Sequence, residues 1–543
     1  MSLENLPIRD AEPLTDARRR ETKAQGEQSW AGHLDGVDVG GTDGSVTGER
    51  RETSADGARA SAGGPSRQGK AVQVGGGVGV RGSSDDPQKS ISCGERSAGT
   101  WDQDAGRSEG HGDGPQGLTT PAKVRKLQRT LYRKAKAEPK YRFYSLYGEL
   151  SRRDILDTAL NLVVRNGGCA GVDRQRIEDV LGPQESRRTE WLQAVSQELK
   201  ARTYRPQAVR RVYIPKADGK QRPLGIPTVK DRVVQAAAML VLLPIFEADM
   251  HPQSYAYRPG KDAHQAMSSI VEAISRGNFE VIDADLSGYF DSIPHPELMA
   301  LVARRVSDGS MLGLIRSWLE APIEEQDSKT GRRRRWLNRC GTPQGGVISP
   351  MLANLYLNGL DWAVNEKCEL KPTMVRYADD FVILCRKGQG TGLLARLKKW
   401  LTARELKLNE EKTRLVDIRE EGIKFLGFSV SWRRRSRNWW AYAHVEPHPK
   451  SQQKLREKLQ ERLNHWTQHE DESEVIGSLN RLLQGWKGYF GFGNPSHVFG
   501  KLQYYLNEKV RRWLWRRHDC KHGKYKHYSN ERLRGQYKLF QLA

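Results

Sequence analysis

The sequence predicts an α+β fold: a domain built on an antiparallel sheet, preceded by a disordered segment and followed by a helical domain. Three observations carry this. From about residue 205 to 445, short β-rich runs mix with amphipathic helices, without the strand–helix alternation of a parallel sheet. Beyond about 445 the apolar spacing is helical. Residues 1–117 hold 23 of the 53 glycines and no Phe or Tyr, too little apolar surface to offset the entropy of ordering. A chain of 543 residues has room for two or three domains, placed at 1–117, 118–444 and 445–543.

Taken in order, the first segment contains stretches such as "VQVGGGVGVRGSSDDPQKS". Acidic residues run through it, against an organelle transit peptide. Order begins at "TTPAKVRKLQRTLYRKAKAEPKYRFYSLY", basic and aromatic at helical spacing. "SRRDILDTALNLVVRNGGCAGVD" then opens on Ser151 as an N-cap and closes on a Gly-Gly pair. The helical region reads as "SQQKLREKLQERLNHW", "VIGSLNRLLQGWKGYF" and "VFGKLQYYLNEKVRRWLWRRH".

Charge narrows the partner. With 89 Lys and Arg against 66 Asp and Glu, the net charge is +23, which suits a polyanion, most simply nucleic acid. Six scattered cysteines without a CxxC argue against a zinc ribbon or disulfide scaffold and fit a reducing compartment. The start "MSLENLPIRDAEPL" has no signal-peptide pattern, and no uncharged apolar run approaches the roughly 20 residues that span a bilayer. A soluble, cytoplasmic protein is expected, in a bacterial setting, with no membrane partner.

The chemistry centres on "VRYADDFVILC". "TMVRY" and "FVILC" are β-formers around Ala378-Asp379-Asp380, which reads as a hairpin tip. A plain surface turn is the bland alternative, but both flanking runs are too apolar for an exposed hairpin. Upstream, "FEVIDADLSGYFDSIPHPEL" alternates as a strand from Phe279 through Asp283 and Asp285 and breaks at Ser287-Gly288. A strand end facing a hairpin tip lets Asp285, Asp379 and Asp380 converge. Like charges that close raise one another's pKa, a conflict that hard divalent cations on carboxylate oxygens resolve.

"YADD" together with "DLSGYFD" resembles the paired active-site motifs of reverse transcriptases, and the resemblance extends in order from about 205 to 430. "RRVYIPKADGKQRPLGIPTVKDRVVQ" and "QSYAYRPGKDAHQAM" are similar to fingers motifs of group II intron-encoded reverse transcriptases. "GTPQGGVISPMLANLYLNGLD" is similar to their glycine-rich loop and helix, with Ser349 reading as the N-cap and Pro350 as the first helical residue. "LKLNEEKTRLVD" and "IKFLGFSV" resemble the motifs that close the palm. The resemblance implies a right-hand polymerase fold, with fingers and palm over 118–444 and a thumb and maturase region over 445–543. It implies an RNA-directed DNA polymerase that uses two Mg²⁺ (or Mn²⁺) ions on Asp285, Asp379 and Asp380, with the Leu286 carbonyl as a further ligand. Lys216 and Arg222 would contact the triphosphate, where solvated loop charge is the bland reading. Phe290, on composition a core aromatic, would exclude a 2′-hydroxyl, and Gln344 would lie beside the nucleotide. Lys412, Leu426 and Gly427 fall where primer and template run. The implied partners are group II intron RNA, an RNA template with a DNA primer, deoxynucleoside triphosphates and target DNA.

From residue 431 onward there are 23 Lys and Arg against 10 Asp and Glu, and seven of the 14 tryptophans. Interleaved basic and aromatic residues in the last long helix suit phosphates and unpaired bases, so Arg511, Arg512, Arg516 and Arg517 are expected to bind RNA. The alternative is that they pair with nearby glutamates. His518, Cys520, His522 and His527 match no common zinc spacing, so the zinc endonuclease that ends many relatives is not expected. Two other readings remain: a non-catalytic splicing maturase, which intact aspartates disfavour, and a retron or defence-associated reverse transcriptase, which the maturase-like tail disfavours.

Overall fold

The computed structural model describes residues 120–182, 184–215, 219, 221–326, 330–434, 440–519 and 523–543. The disorder expected over 1–117, the role of Lys216, and Cys520 and His522 lie outside the described residues.

Helix α1 (Ala122–Ala137) buries Val124, Gln128, Leu131 and Ala135 along one face, while most of its lysines and arginines face solvent. Helix α2 (Arg153–Asn166) corrects the expected cap. Its N-cap position is Arg152, and the Ser151 hydroxyl donates instead to the Gly148 carbonyl at 2.9 Å within a tight 3₁₀ turn. Its end agrees with the Gly-Gly pair, since Gly167 takes φ 64° there. Helix α3 (Val229–Glu247) is apolar nearly all round and correspondingly buried, packing on both α1 and α2.

A first sheet joins β1 (Val209–Pro215) and β2 (Gln221–Ile226) to two later strands. Helix α4 (Ala263–Ser275) separates these from β3 (Glu280–Ala284). The first sheet is completed by β4 (Ile323–Gln326) and β5 (Arg333–Trp336), in the order β2-β1-β4-β5. Its β1–β4 pair is parallel, a departure from the expected antiparallel pattern. It is reached by a long connection that carries β3 and several helices, as parallel neighbours require.

Helix α5 (Ser349–Asn365) begins directly at Ser349, whose hydroxyl donates to the Pro343 carbonyl at 2.9 Å, so Ser349 is the first helical residue rather than the cap. The central sheet adds β6 (Thr373–Tyr377), β7 (Asp380–Cys385) and β8 (Arg414–Asp417), in the order β6-β7-β3-β8 with every pair antiparallel. Both its faces are covered. Ile282, Met374, Phe381 and Ile383 join the core with α3 and α5, whereas Val281, Val375, Val382 and Leu384 join a second core with α4. That double coverage explains why the runs around the two aspartates are so apolar.

A third sheet, β9 (Ile423–Phe425), β10 (Phe428–Arg434) and β11 (Ala441–Pro447), leads into the helical region. There α6 (Pro449–Arg462), α7 (Glu472–Phe490) and α8 (Ser496–Arg517) share a core of Leu459, Leu479, Leu483, Leu502, Leu506 and Trp513. Trp513 is core and Trp466 is 81% exposed, so the tryptophans divide between packing and surface. Among the described residues no helix is long and apolar enough to cross a membrane.

Candidate active site

Register places the three carboxylates. In the central sheet Asp283 pairs with Val382 and Ala284 with Phe381. One further step sets Asp285, just past β3, opposite Asp380, the first residue of β7. Tyr377 pairs with Asp380 across a two-residue turn, Ala378-Asp379, as the hairpin reading predicted. Ala378 has φ 62° while Asp379 does not share a positive φ, a turn whose first position ordinarily holds glycine. A Cβ there costs about 1–2 kcal/mol, so something must hold this turn.

The electrostatics follow from crowding. Burial raises the Asp379 carboxyl above the usual range and Asp285 adds to that, while the Arg222 guanidinium pulls it back. Asp380 is solvent-exposed by surface area, yet protein crowds it on the sheet side. That loss of solvent, with the charges of Asp379, Asp285 and Asp283, pushes its carboxyl up to about 6. Asp285 is held by Lys412 at 3.0 Å and by the Asn409 side-chain amide at 3.2 Å. Asn409 also donates its backbone N–H to the Asp285 carbonyl at 2.8 Å. Asn409 and Asp283 escaped the sequence reading. The first sits three residues before Lys412 in a quoted motif, and the second alternates with Asp285 on the same strand.

The donor set is oxygen-rich, acidic and mutually repelling, which is the chemistry a hard divalent cation fits. Lys412 stands on Asp285 as a cation would. Among the described residues no three His, Cys, Asp or Glu side chains close into a finished metal site. Leu286 turns its side chain into the core.

The expected nucleotide contacts surround this cluster unevenly. Arg222 lies on β2, exposed, and its charge reaches Asp379. Phe290 is half-buried, edge-on to Tyr289 at 5.5 Å and packed on the main core. Gln344 donates to Asp291 at 3.3 Å, and its carbonyl accepts from Gly225 at 2.6 Å. The glycine-rich loop thus approaches the protein's own backbone: a Cβ on Gly341, where φ is 80°, would sit 2.6 Å from the Phe290 carbonyl oxygen.

Leu426 and Gly427 form the two-residue turn between β9 and β10, both with positive φ. Their carbonyls are taken: Leu426 accepts from the Tyr489 hydroxyl at 3.1 Å, and Gly427 from His448 and Ser451 at 2.9 Å each. In α8 the four arginines divide. Arg511 is corrected: it is buried, donating to the Tyr528 carbonyl at 2.7 Å, to Glu508 at 2.7 Å and to Asn530. Arg517 is also corrected, since it donates to the Gln468 and Glu470 carbonyls and lies beside Glu472. Both close the ends of neighbouring elements. Arg512 and Arg516 remain solvent-facing. His518 is held by Tyr528 at 2.6 Å and Glu472 at 3.1 Å.

Comparison with known proteins gives two family matches. Residues 214–430 match the family "Reverse transcriptase (RNA-dependent DNA polymerase)", and residues 452–531 match "Group II intron, maturase-specific domain". Protein YkfC of Escherichia coli is 32% identical over 360 residues, covering 58% of this chain and 90% of its own. The chain belongs to the group II intron-encoded reverse transcriptases. The group II intron-encoded protein LtrA of Lactococcus lactis is 29% identical over 54% of this chain and 57% of its own length. An uncharacterized 91 kDa protein in the cob intron of Schizosaccharomyces pombe is 26% identical over 58% of this chain and 47% of its own. The chain therefore spans about half the length of these last two relatives. As a reverse transcriptase with a maturase domain, it carries its polymerase motifs on the central sheet and its maturase match on α6 to α8.

Proposed function

We propose that this reverse transcriptase copies group II intron RNA into DNA from a primer 3′-hydroxyl and, through its helical domain, holds that RNA for splicing and mobility. The observation that carries the reading is the register that sets Asp285 against Asp380, with Asp379 on the adjoining turn. Divalent ions, most simply Mg²⁺, would supply there the activation of the attacking hydroxyl and the neutralisation of the leaving pyrophosphate. Asp285, Asp379 and Asp380 would hold them, with the Leu286 carbonyl as a further donor.

The chain's own groups do the rest. Arg222 offers a fork for the triphosphate, with Lys216 beside it in sequence. Phe290 fills the space that a ribose 2′-hydroxyl would need. Gln344, fixed by Asp291 and by its carbonyl bond to β2, orients the nucleotide. Lys412, which pairs with Asp285 at 3.0 Å, would yield that carboxylate to a bound cation and offer its charge to a backbone phosphate; Leu426 and Gly427 would lie on the primer side, and Arg512 and Arg516 would face the RNA. Target DNA would take the place of a simple primer during mobility.

Primer extension on an RNA template tests this. Asp379→Ala should abolish nucleotide addition while RNA affinity changes little, since the change removes a carboxylate and no backbone contact. Extension at the wild-type rate in that variant would sink the assignment.

A further inference from the structure

The turn that carries Asp379 is strained at Ala378, and one buried side chain holds it. Arg376, on β6, is fully buried, and its five N–H donors have acceptors at hand. Nε donates to Asp361 at 2.8 Å, and Nη2 donates to the same carboxylate at 2.6 Å. Nη1 donates to the Asn354 side-chain oxygen at 2.8 Å and to the Ala378 carbonyl at 3.0 Å. The second Nη2 hydrogen points toward the Asn354 carbonyl at 3.5 Å. Asp361 is 1% and Asn354 2% exposed, and Asn354 is itself fixed by donating to the Ala256 carbonyl at 2.7 Å.

Asn354 and Asp361 lie seven residues apart on α5, two turns along one face of the helix. That helix starts at the end of the glycine-rich loop carrying Gln344. Arg376 is therefore the link between two parts of the site: it fastens the carboxylate turn to the helix that the nucleotide-side loop begins. Its backbone is also anchored, with N–H donating to the Gln253 carbonyl at 3.0 Å and its carbonyl accepting from Tyr255 at 2.9 Å.

We propose that Arg376 is a positioning residue for nucleotide addition, which, clamped by Asp361 and Asn354, sets the register of the Ala378-Asp379 turn relative to α5. The inference rests on the polymerase reading of the site. Arg376 is sealed from substrate, so it acts only through the turn. A displacement of about 1 Å at a reacting centre can cost on the order of 100-fold in rate.

The test replaces the pair together, Arg376→Met with Asp361→Leu, because apolar substitution of a whole buried ion pair is often neutral for folding, whereas removing one partner is not. Single-turnover addition of one deoxynucleotide to a primer on RNA template separates two readouts. Positioning predicts a burst rate lowered about 10- to 100-fold with burst amplitude, melting transition and RNA affinity retained. A merely structural pair predicts the reverse: amplitude falling with the folded fraction and an unchanged rate, which overturns the proposal. Should the double variant fail to fold, Asn354→Ser decides. It leaves the Arg376–Asp361 pair in place but removes the acceptor that aims Nη1. An unchanged burst rate there overturns the proposal, and a rate lowered about tenfold at full amplitude supports it. If the wild-type protein itself adds no nucleotide, the polymerase reading fails rather than this one.

Discussion

Asp379 and Asp380 are neighbours in sequence but meet different surroundings, and the difference is testable. The Asp380 carboxyl, pushed up to about 6, binds a proton more tightly in the folded than in the unfolded chain. Its contribution is full below the unfolded value and is lost as pH rises through about 6, so ionisation weakens the metal-free fold above that pH. Asp380→Asn should thus melt higher than wild type at pH 8 without divalent ions, with the gap closing toward pH 4. Because Asp380 is exposed, the gain should stay under about 1 kcal/mol. Mg²⁺ should raise the melting temperature of the wild type and not of this variant; an equal rise in both would remove Asp380 from the ion's donors. Phe290 admits a second test. If its ring excludes a 2′-hydroxyl, Phe290→Val should lower the deoxy-to-ribo ratio of kcat/KM by ~10-fold or more, the scale on which pocket shape discriminates. A constant ratio leaves Phe290 a core aromatic. The three carboxylates were legible because strand alternation and an acidic hairpin are local patterns. Arg376 was not, since its partners lie 15 and 22 residues away on a helix, and a charged residue within a strand gives no sign that it will be sealed.

Among the elements, α8 shows where helical spacing misleads. With 3.6 residues per turn, the adjacent Arg511 and Arg512 stand about 100° apart on different faces, and only tertiary packing decides which face meets water. Arg511 turned inward because Glu508, Asn530 and the Tyr528 carbonyl provide acceptors for it. The glutamate alternative therefore holds for Arg511 and Arg517, and the phosphate reading survives for Arg512 and Arg516. Arg511→Gln should destabilise the helical domain by about 3–5 kcal/mol, as expected when one partner of a buried pair is removed. By contrast, the double variant Arg512→Gln, Arg516→Gln should leave melting nearly unchanged. It should flatten the salt dependence of RNA binding by about 0.7–0.9 in slope per arginine. An unchanged slope would move the RNA contact elsewhere, most simply to the exposed lysines and arginines of α1. The same blindness to packing explains Ser151 and Ser349: both are residue types suited to a cap, but Ser151 falls one residue before the N-cap Arg152 and Ser349 one residue inside α5, and each hydroxyl donates to a backbone carbonyl.

At the scale of the whole molecule, the third sheet and the helices that follow it meet at an aromatic seam. Phe428 is fully buried, with Tyr489, Phe490 and Phe492 around it at 5.7, 5.1 and 6.3 Å between ring centres. The Tyr489 hydroxyl donates to the Leu426 carbonyl, and its own carbonyl meets His264 of α4 at 2.6 Å. Asn494 closes the far side by donating to the Val445 carbonyl at 2.7 Å. This seam fixes the helices that would grip a template–primer duplex relative to the carboxylates that would extend it. First-nucleotide chemistry needs the central sheet in register, whereas repeated addition also needs the duplex held between steps. Tyr489→Phe removes one hydrogen bond from the seam, about 1 kcal/mol, and leaves its rings in place. We expect the burst rate for the first nucleotide to stay within about twofold, and median product length on a long RNA template to fall by roughly fivefold, the population change that such an energy produces. If both fall together, the seam acts on the chemistry itself, through Leu426, rather than on the grip.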